Sequence, residues 1–85
     1  MTLHRLPQPA PARDPYDGIL GSLAVGGREA PVWAYARSYR QIARHAGVDL
    51  SAADRLLDDP RFGRRTGDAE RYEQALLACI DADRP

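Results

Sequence analysis

The sequence contains a single cysteine, no lysine and no long apolar run. Its one cysteine, Cys79, cannot form a disulfide within the chain, which is typical of proteins from a reducing cytoplasm. No apolar stretch approaches the roughly 20 residues that a transmembrane helix needs. Residues 1–15 hold four prolines and lack the apolar centre of a signal peptide. We therefore expect a soluble, cytoplasmic protein that does not contact membranes.

Candidate catalytic and metal-binding groups are also scarce. The two histidines, His4 and His45, have no Cys or Glu near them at the spacing of zinc ligands. Gly26-Gly27 lacks the GxxxxGK pattern of a phosphate-binding loop. The aspartates of residues 49–59 are spaced as on an exposed helix, not as a catalytic pair. We expect no metal, no cofactor and no enzymatic activity. The weakest alternative is a small helical enzyme whose arginines hold an anionic substrate in an enclosed pocket.

The net charge is zero, so the chain lacks the strongly basic balance that is typical of nucleic-acid-binding proteins. Charges come in blocks instead. Residues 28–48 carry four Arg and one Glu, residues 49–59 four Asp and one Arg, and residues 61–65 three Arg. Residues 68–85 carry five acids and two Arg. These blocks predict a folded surface with separate positive and negative faces.

With 85 residues, the chain has room for one domain near the lower size limit for a self-sufficient core. Residues 1–15 are rich in Pro and poor in core-forming side chains, which predicts a disordered arm. Residues 16–85 are predicted to form a single helical domain. Because so small a core is thin, we expect a homodimer to reinforce it.

Residues 19–36 allow two interpretations. Gly26-Gly27 follows an apolar run and is typical of a two-residue β-hairpin turn, because paired glycines supply positive φ angles. Pro31 would remove a ladder hydrogen bond from the second strand, and Gly21 would weaken the first. The sequence leaves open whether this segment is a short N-terminal hairpin or part of a longer helix.

The first of three predicted helices covers residues 31–46. Pro31 suits its first turn and Gly47 its end, while Ser38 and Gln41 match a capping box and offer a later start. Trp33 is assigned to the core. Apolar residues recur at steps of three and four and are expected to line the inward face. They are Val32, Tyr35, Tyr39, Ile42 and Ala46.

Two further helices are predicted after this one. The second covers residues 51–58, with Asp49 or Ser51 as its N-cap. A loop at residues 61–67 is expected to fold Phe62 into the core. The third helix covers residues 68–81, and its acidic first turn is favoured by the helix dipole. The predicted fold is mainly α: a three-helix, helix-turn-helix-like small domain.

Two short helices joined by a glycine-containing turn are the arrangement of a helix-turn-helix unit. Here the small Ala43 would let the second helix approach closely, and Gly47 would permit a left-handed backbone turn. Val48 and Leu56 would pack between the helices. The segment reads Ile42-Ala43-Arg44-His45-Ala46-Gly47-Val48-Asp49-Leu50-Ser51-Ala52-Ala53-Asp54-Arg55-Leu56-Leu57.

Residues 38–81 resemble the DNA-binding headpiece of the lactose-repressor family of bacterial regulators. The family pattern is a hydrophobic residue and Ala, two residues, Ala-Gly-Val-Ser, two residues, Thr-Val-Ser-Arg and a hydrophobic pair. Asp49, Ala52, Ala53 and Asp54 stand where the family has Ser, Thr, Val and Ser. Hydroxyls are therefore lost and two acids enter, and an acid that faces phosphate is repulsive.

The resemblance implies a small DNA-binding regulatory protein from a bacterium or its phage. Ser51 and Arg55 would enter the major groove. Four further arginines would contact backbone phosphates, namely Arg40, Arg44, Arg64 and Arg65.

The alternative function is a non-catalytic protein-interaction module, either an accessory subunit or a small inhibitor, built on a helical scaffold. Zero net charge and the acidic run support it. A basic protein partner would meet the face formed by Asp49, Asp54, Asp58 and Asp59.

Overall fold

The computed structural model describes residues 14–84, and these residues form four α-helices. Helix α1 is Asp17–Leu23, α2 is Ala30–His45, α3 is Ser51–Leu57 and α4 is Asp68–Ala82. The mainly helical prediction is confirmed. The predicted number of helices is corrected from three to four, because α1 precedes the others. The other three begin and end within one residue of their predicted bounds.

The predicted N-terminal arm lies almost wholly outside the described residues. Only its last two residues, Asp14 and Pro15, are described. Asp14 accepts a hydrogen bond from the Tyr16 backbone N–H at 3.0 Å and two more from Arg40 on α2. The packed part of the chain therefore begins no later than Asp14.

The hairpin interpretation of residues 19–36 is wrong, since no strand occurs between residues 14 and 84. The chain turns between α1 and α2 through Gly26 and Gly27. Of these two glycines only Gly27 has a positive φ, of 85°, whereas a type I′ hairpin turn requires it at both positions. Pro31 lies in the first turn of α2, where its missing N–H costs no helical hydrogen bond.

Helix α2 buries a different face from the one predicted. Its buried residues are Trp33, Ala36, Arg40 and Ala43. Three residues of the predicted inward stripe lie on the exposed side: Tyr35, Tyr39 and Ile42, which are 62%, 41% and 67% exposed. The prediction followed hydrophobicity alone. The buried face combines two small alanines, which permit close packing, with an arginine whose charge is neutralised inside the protein.

The capping-box start at Ser38 is also wrong. Helix α2 continues through this residue, and the Ser38 hydroxyl donates a hydrogen bond to the Ala34 carbonyl at 3.2 Å. This back-bonding within the helix is a common way for a mid-helix serine to satisfy its hydroxyl.

Helix α2 is the centre of the fold. Helices α1 and α4 both pack against it, and α3 packs against α4. The Trp33 ring lies tilted on that of Tyr72, with centroids 6.0 Å apart, and meets Phe62 edge-on at 6.2 Å. Phe62 thus folds into the core as predicted. The buried apolar residues are Leu20, Trp33, Ala36, Ala43, Leu50, Ala53, Leu57, Ala69, Tyr72 and Leu76.

Helix α2 ends at the glycine that the sequence indicates. Gly47 has a φ of 78°. Its N–H donates to the Arg44 carbonyl and the Val48 N–H donates to the Ala43 carbonyl, both at 3.0 Å. This pair of bonds is a Schellman motif, which requires the left-handed conformation at Gly47.

Helix α3 does not pack on α2 as a helix-turn-helix pair would. No Cα of α3 lies within 8 Å of a Cα of α2. The two helices are joined instead through side chains, because Arg40 on α2 bonds with Asp54 on α3. The close approach expected at Ala43 is not formed.

Candidate functional site

The most extensively bonded polar side chain is Arg40, which is only 3% exposed. Its Nε and Nη2 donate to the two carboxylate oxygens of Asp14, at 2.7 and 2.9 Å. Its other contacts are a second bidentate pairing with Asp54 and a 3.0 Å bond from Nη1 to the Tyr72 hydroxyl. The ring of Tyr16 faces the guanidinium, with its centroid 5.1 Å from Cζ. We call these five residues the Arg40 cluster.

The pKa values within the Arg40 cluster reflect this pairing. Burial acts to lower the pKa of Arg40, but its bonds with Asp14 and Asp54 outweigh burial and raise it. Burial acts to raise the pKa of Asp14, yet the bonds from Arg40 and the Tyr16 N–H bring it below its ordinary value. Burial raises the pKa of Tyr72, with Arg40 opposing. Charged arginine, charged aspartate and neutral tyrosine are thus the stable forms.

Two further contacts connect the Arg40 cluster to its surroundings. The Tyr16 hydroxyl donates to Asp58 at 2.8 Å, and Arg44 Nη1 lies 2.9 Å from Asp14 Oδ1. An open cleft of about 300 Å³ adjoins the cluster. Because the cluster's charged groups already satisfy one another, this cleft offers a ligand little unused bonding capacity. We assign the cluster a structural role.

The six predicted DNA-contacting residues lie in different environments. Arg40 is buried, and Arg44 is paired with Asp14. The Ser51 hydroxyl donates to Asp49 at the start of α3. The others are exposed: Arg55 on α3, and Arg64 and Arg65 in the α3–α4 loop. Arg40, Arg44 and Ser51 line the cleft beside the cluster, whereas Arg64 and Arg65 line a different groove.

The four predicted protein-binding aspartates are each engaged within the chain. Asp49 accepts a bond from the Ser51 N–H at 3.0 Å. The predicted N-cap of α3, Asp49 or Ser51, is wrong, because the N-cap is Leu50 and no side chain caps this helix. Asp54 is in the Arg40 cluster, and Asp58 accepts the bond from Tyr16. Asp59 accepts a bond from the Arg61 N–H at 2.9 Å. Asp49, Asp58 and Asp59 are nevertheless exposed.

A second open groove lies between the α1–α2 turn and the α3–α4 loop, with a volume of about 250 Å³. Leu23 and Trp33 form its apolar part, and three arginines line its rim: Arg28, Arg64 and Arg65. Among residues 14–84, Glu29 is the one acid in its lining. The sequence indicates Arg64 and Arg65 as phosphate contacts but not Arg28, which is distant in sequence from them.

Fixed carboxylates hold the loop that borders this groove. Asp68 is fully buried at the start of α4, and its Oδ2 accepts bonds from the Gly63 and Arg65 N–H groups at 2.9 and 3.2 Å. Burial acts to raise the pKa of Asp68, but these bonds bring it below its ordinary value. The Glu29 carboxylate accepts a bond from the Gly67 N–H. The loop is thereby fixed at three of its backbone positions.

The third surface feature is the exposed stripe of α2, formed by Tyr35, Tyr39 and Ile42. These residues are separated by four and three positions. Ala46 continues the alternation as an exposed residue, whereas Val32, at the other end, is partly buried against the core. Steps of three and four repeated along a helix form the a and d seam of a coiled coil. We call this surface the α2 stripe. The sequence indicated these residues but placed them facing inward.

No family model, curated protein or solved structure matches this chain. Within residues 14–84, no helix is both long enough and apolar enough to cross a membrane. The same residues contain no group of three or more His, Cys, Asp or Glu side chains placed to hold a metal ion.

Proposed function

We propose that this chain is a non-catalytic protein-interaction module, and that its binding surface is the α2 stripe. The observation that carries this proposal is the exposure of Tyr35, Tyr39 and Ile42 on one side of the longest helix. Tyrosine is enriched among the residues that dominate binding energy at protein interfaces. Complete burial of an isoleucine side chain such as that of Ile42 contributes about 1.5–3 kcal/mol.

The partner that best fits the α2 stripe is a second copy of the chain. A seam with steps of three and four accepts the same seam from another helix. On the side of the stripe away from the buried face, the neighbouring residues are Ser38 and His45, with no acid or Arg. Two copies therefore meet there without like-charge repulsion. The whole chain has zero net charge, so two copies do not repel each other overall. A two-fold axis would bury the same residues on both copies.

Sedimentation velocity over a concentration series tests the proposal. The wild-type chain is expected to shift from monomer to dimer as concentration rises. Ile42→Glu places a carboxylate in the seam and is expected to keep the chain monomeric. Val25→Glu is the matched control, because Val25 is an 86% exposed aliphatic residue in the α1–α2 turn, outside the stripe. It should dimerise like the wild type.

Far-UV circular dichroism of both variants establishes that they remain folded, as expected for substitutions at exposed positions. A wild-type chain that stays monomeric up to millimolar concentration overturns the proposal. Dimerisation that Ile42→Glu leaves unchanged overturns the assignment of the surface.

DNA binding is the second candidate function. It is favoured by Arg55, which is exposed on α3 and makes no salt bridge with any residue between 14 and 84. The burial of Arg40 and the separation of α3 from α2 count against it. A gel-shift titration at low salt tests it, since phosphate contacts are strongest there. Affinity for duplex DNA that falls in Arg55→Ala combined with Arg64→Ala supports this candidate, and no affinity excludes it.

A further inference from the structure

The groove between the α1–α2 turn and the α3–α4 loop has an excess of positive charge. Three guanidinium groups line it, against the single carboxylate of Glu29. That carboxylate is already bonded to the Gly67 N–H. A second carboxylate, that of the buried Asp68, lies behind the loop and accepts bonds from the Gly63 and Arg65 N–H groups. An anion that enters the groove therefore meets three guanidinium groups, and both nearby carboxylates are already engaged within the chain.

Two of these three arginines have unused bonding capacity. Arg28 and Arg64 are exposed and make no salt bridge with any residue between 14 and 84. The Nε of Arg65 lies 3.5 Å from Asp68 Oδ2, which is longer than a typical hydrogen bond. Guanidinium groups present several N–H donors in a planar fork, which matches the oxygen geometry of phosphate groups.

The backbone around the groove is held in place before any ligand binds. A Cβ at Gly63 would lie 3.0 Å from both methyl carbons of Leu23, and Gly63 has a φ of 99°. Only glycine lets the α3–α4 loop sit this close to the end of α1. Together with the bonds from Gly63 and Arg65 to Asp68, this contact fixes the loop that carries Arg64 and Arg65. Fixed donors bind a ligand with less loss of entropy than mobile ones.

We propose that this groove is a phosphate-binding site, in which Arg28, Arg64 and Arg65 bind the phosphate and the partly exposed Leu23 side chain contacts the group attached to it. Its volume of about 250 Å³ is below the 300–1,000 Å³ range of pockets for drug-sized ligands. It therefore suits a phosphate or diphosphate group with a small apolar or planar substituent. The phosphate can come from a free phosphorylated metabolite or from a nucleic-acid backbone.

This site is independent of the α2 stripe, since none of its lining residues belongs to the stripe. Whether Ile42→Glu loses dimerisation therefore has no bearing on whether the groove binds phosphate. Failure of phosphate binding likewise leaves the interaction module standing.

Isothermal titration with inorganic pyrophosphate tests the proposal on the full chain. Trp33 is the only tryptophan and lines the groove, so its fluorescence gives a second readout of the same event. The wild-type chain should bind pyrophosphate and change its fluorescence. Arg28→Gln combined with Arg64→Gln should weaken binding at least tenfold, which corresponds to about 1.4 kcal/mol.

The matched control is Arg61→Gln. Arg61 belongs to the same loop, is exposed and makes no salt bridge between residues 14 and 84, but it does not line the groove. It should bind pyrophosphate like the wild type. Absence of pyrophosphate binding, or an equal loss in Arg61→Gln and the double variant, overturns the proposal.

A competition arm distinguishes the two sources of phosphate. A short DNA duplex that displaces pyrophosphate, and that loses affinity in the double variant but not in Arg61→Gln, identifies the nucleic-acid backbone as the source. Pyrophosphate binding that the duplex does not disturb identifies a small phosphorylated molecule. Either result supports the phosphate site.

Discussion

Arg40 and Asp14 are 26 residues apart in sequence and are joined by two hydrogen bonds that engage both carboxylate oxygens. The contact ties the segment before α1 to the middle of α2. Because Arg40 also bonds with Asp54 and Tyr72, the same guanidinium connects α2 with α3 and α4. One buried charge thus links four parts of a chain that has a small apolar core.

Removing this charge should cost much more stability than removing a similar one at the surface. Arg40→Leu leaves Asp14 and Asp54 without their main partner, and breaking a buried ion pair in this way costs about 3–5 kcal/mol. Arg37→Leu is the matched control, because Arg37 is on the same helix and pairs with Asp17. The side chains of this pair are 39% and 34% exposed. The cost of Arg37→Leu should be much smaller, because solvent screens an exposed ion pair.

Urea denaturation followed by circular dichroism measures both free energies of unfolding. If Arg40→Leu is too unstable to fold, Asp14→Asn gives a milder version of the same test, since it retains one acceptor for Arg40. Equal losses in Arg40→Leu and Arg37→Leu would show that the Arg40 cluster does not stabilise the fold.

Acid should destabilise the protein over the pH range in which its paired carboxylates become protonated. A bond from Arg37 lowers the pKa of Asp17 to about 2, and the pKa values of Asp14 and Asp68 also lie below the ordinary value. The unfolded chain, in which an aspartate has a pKa of about 3.9, therefore binds more protons than the folded chain between these limits. Stability should be full above about pH 5 and should fall as the pH drops towards 2.

Urea midpoints measured at a series of acidic pH values check this slope. Asp17→Asn removes one of the carboxylates with a lowered pKa, so its midpoint should fall less steeply than that of the wild type. A wild-type midpoint that is constant between pH 5 and pH 2 would contradict the prediction.

Two glycine-to-alanine substitutions should change stability in opposite directions. Gly47 ends α2 with a φ of 78°, where an alanine is strained by about 1–2 kcal/mol. Gly18 is the second residue of α1, and a Cβ there would meet nothing within 4 Å. Gly18→Ala should therefore stabilise the helix by about 0.5–1 kcal/mol. Thermal melts of the two variants would disagree with the structure if both shifted in the same direction.

The buried Asp68 should control how firmly the α3–α4 loop is held. Asp68→Ala removes the acceptor of the Gly63 and Arg65 N–H groups, so amide hydrogen exchange at these two positions should accelerate. Asp81→Ala is the control, because Asp81 is an exposed aspartate near the other end of α4. It should leave exchange in the loop unchanged. Unchanged exchange in Asp68→Ala would mean that the loop is held by other contacts.

The sequence predicted the features that depend on residues close together in the chain, above all the ends of helices. Gly47 marks the end of α2 through local backbone chemistry, and Asp68 begins α4 where an acidic first turn predicts it. The bounds of α2, α3 and α4 could therefore be predicted. The short helix α1 was missed because its apolar run contains glycine and is followed by a glycine pair, which also suits a hairpin.

The sequence could not predict what depends on contacts between distant residues. An arginine on the inward face of a helix is favourable only if carboxylates reach it, and Asp14 and Asp54 come from separate segments. Hydrophobicity alone therefore placed Tyr35, Tyr39 and Ile42 inside and Arg40 outside. The groove could not be predicted for the same reason, since Arg28 and Arg64 line it together only because the α1–α2 turn lies beside the α3–α4 loop.

The Arg40 cluster also bears on how the chain folds as it is synthesised. Asp14 emerges from the ribosome first, but Tyr72, the last member of the cluster, is translated after α1, α2 and α3 are complete. A nascent chain that stops short of α4 leaves the guanidinium without its full set of partners and the Trp33 ring without Tyr72. We therefore expect native structure to form in one late cooperative step and not helix by helix during translation.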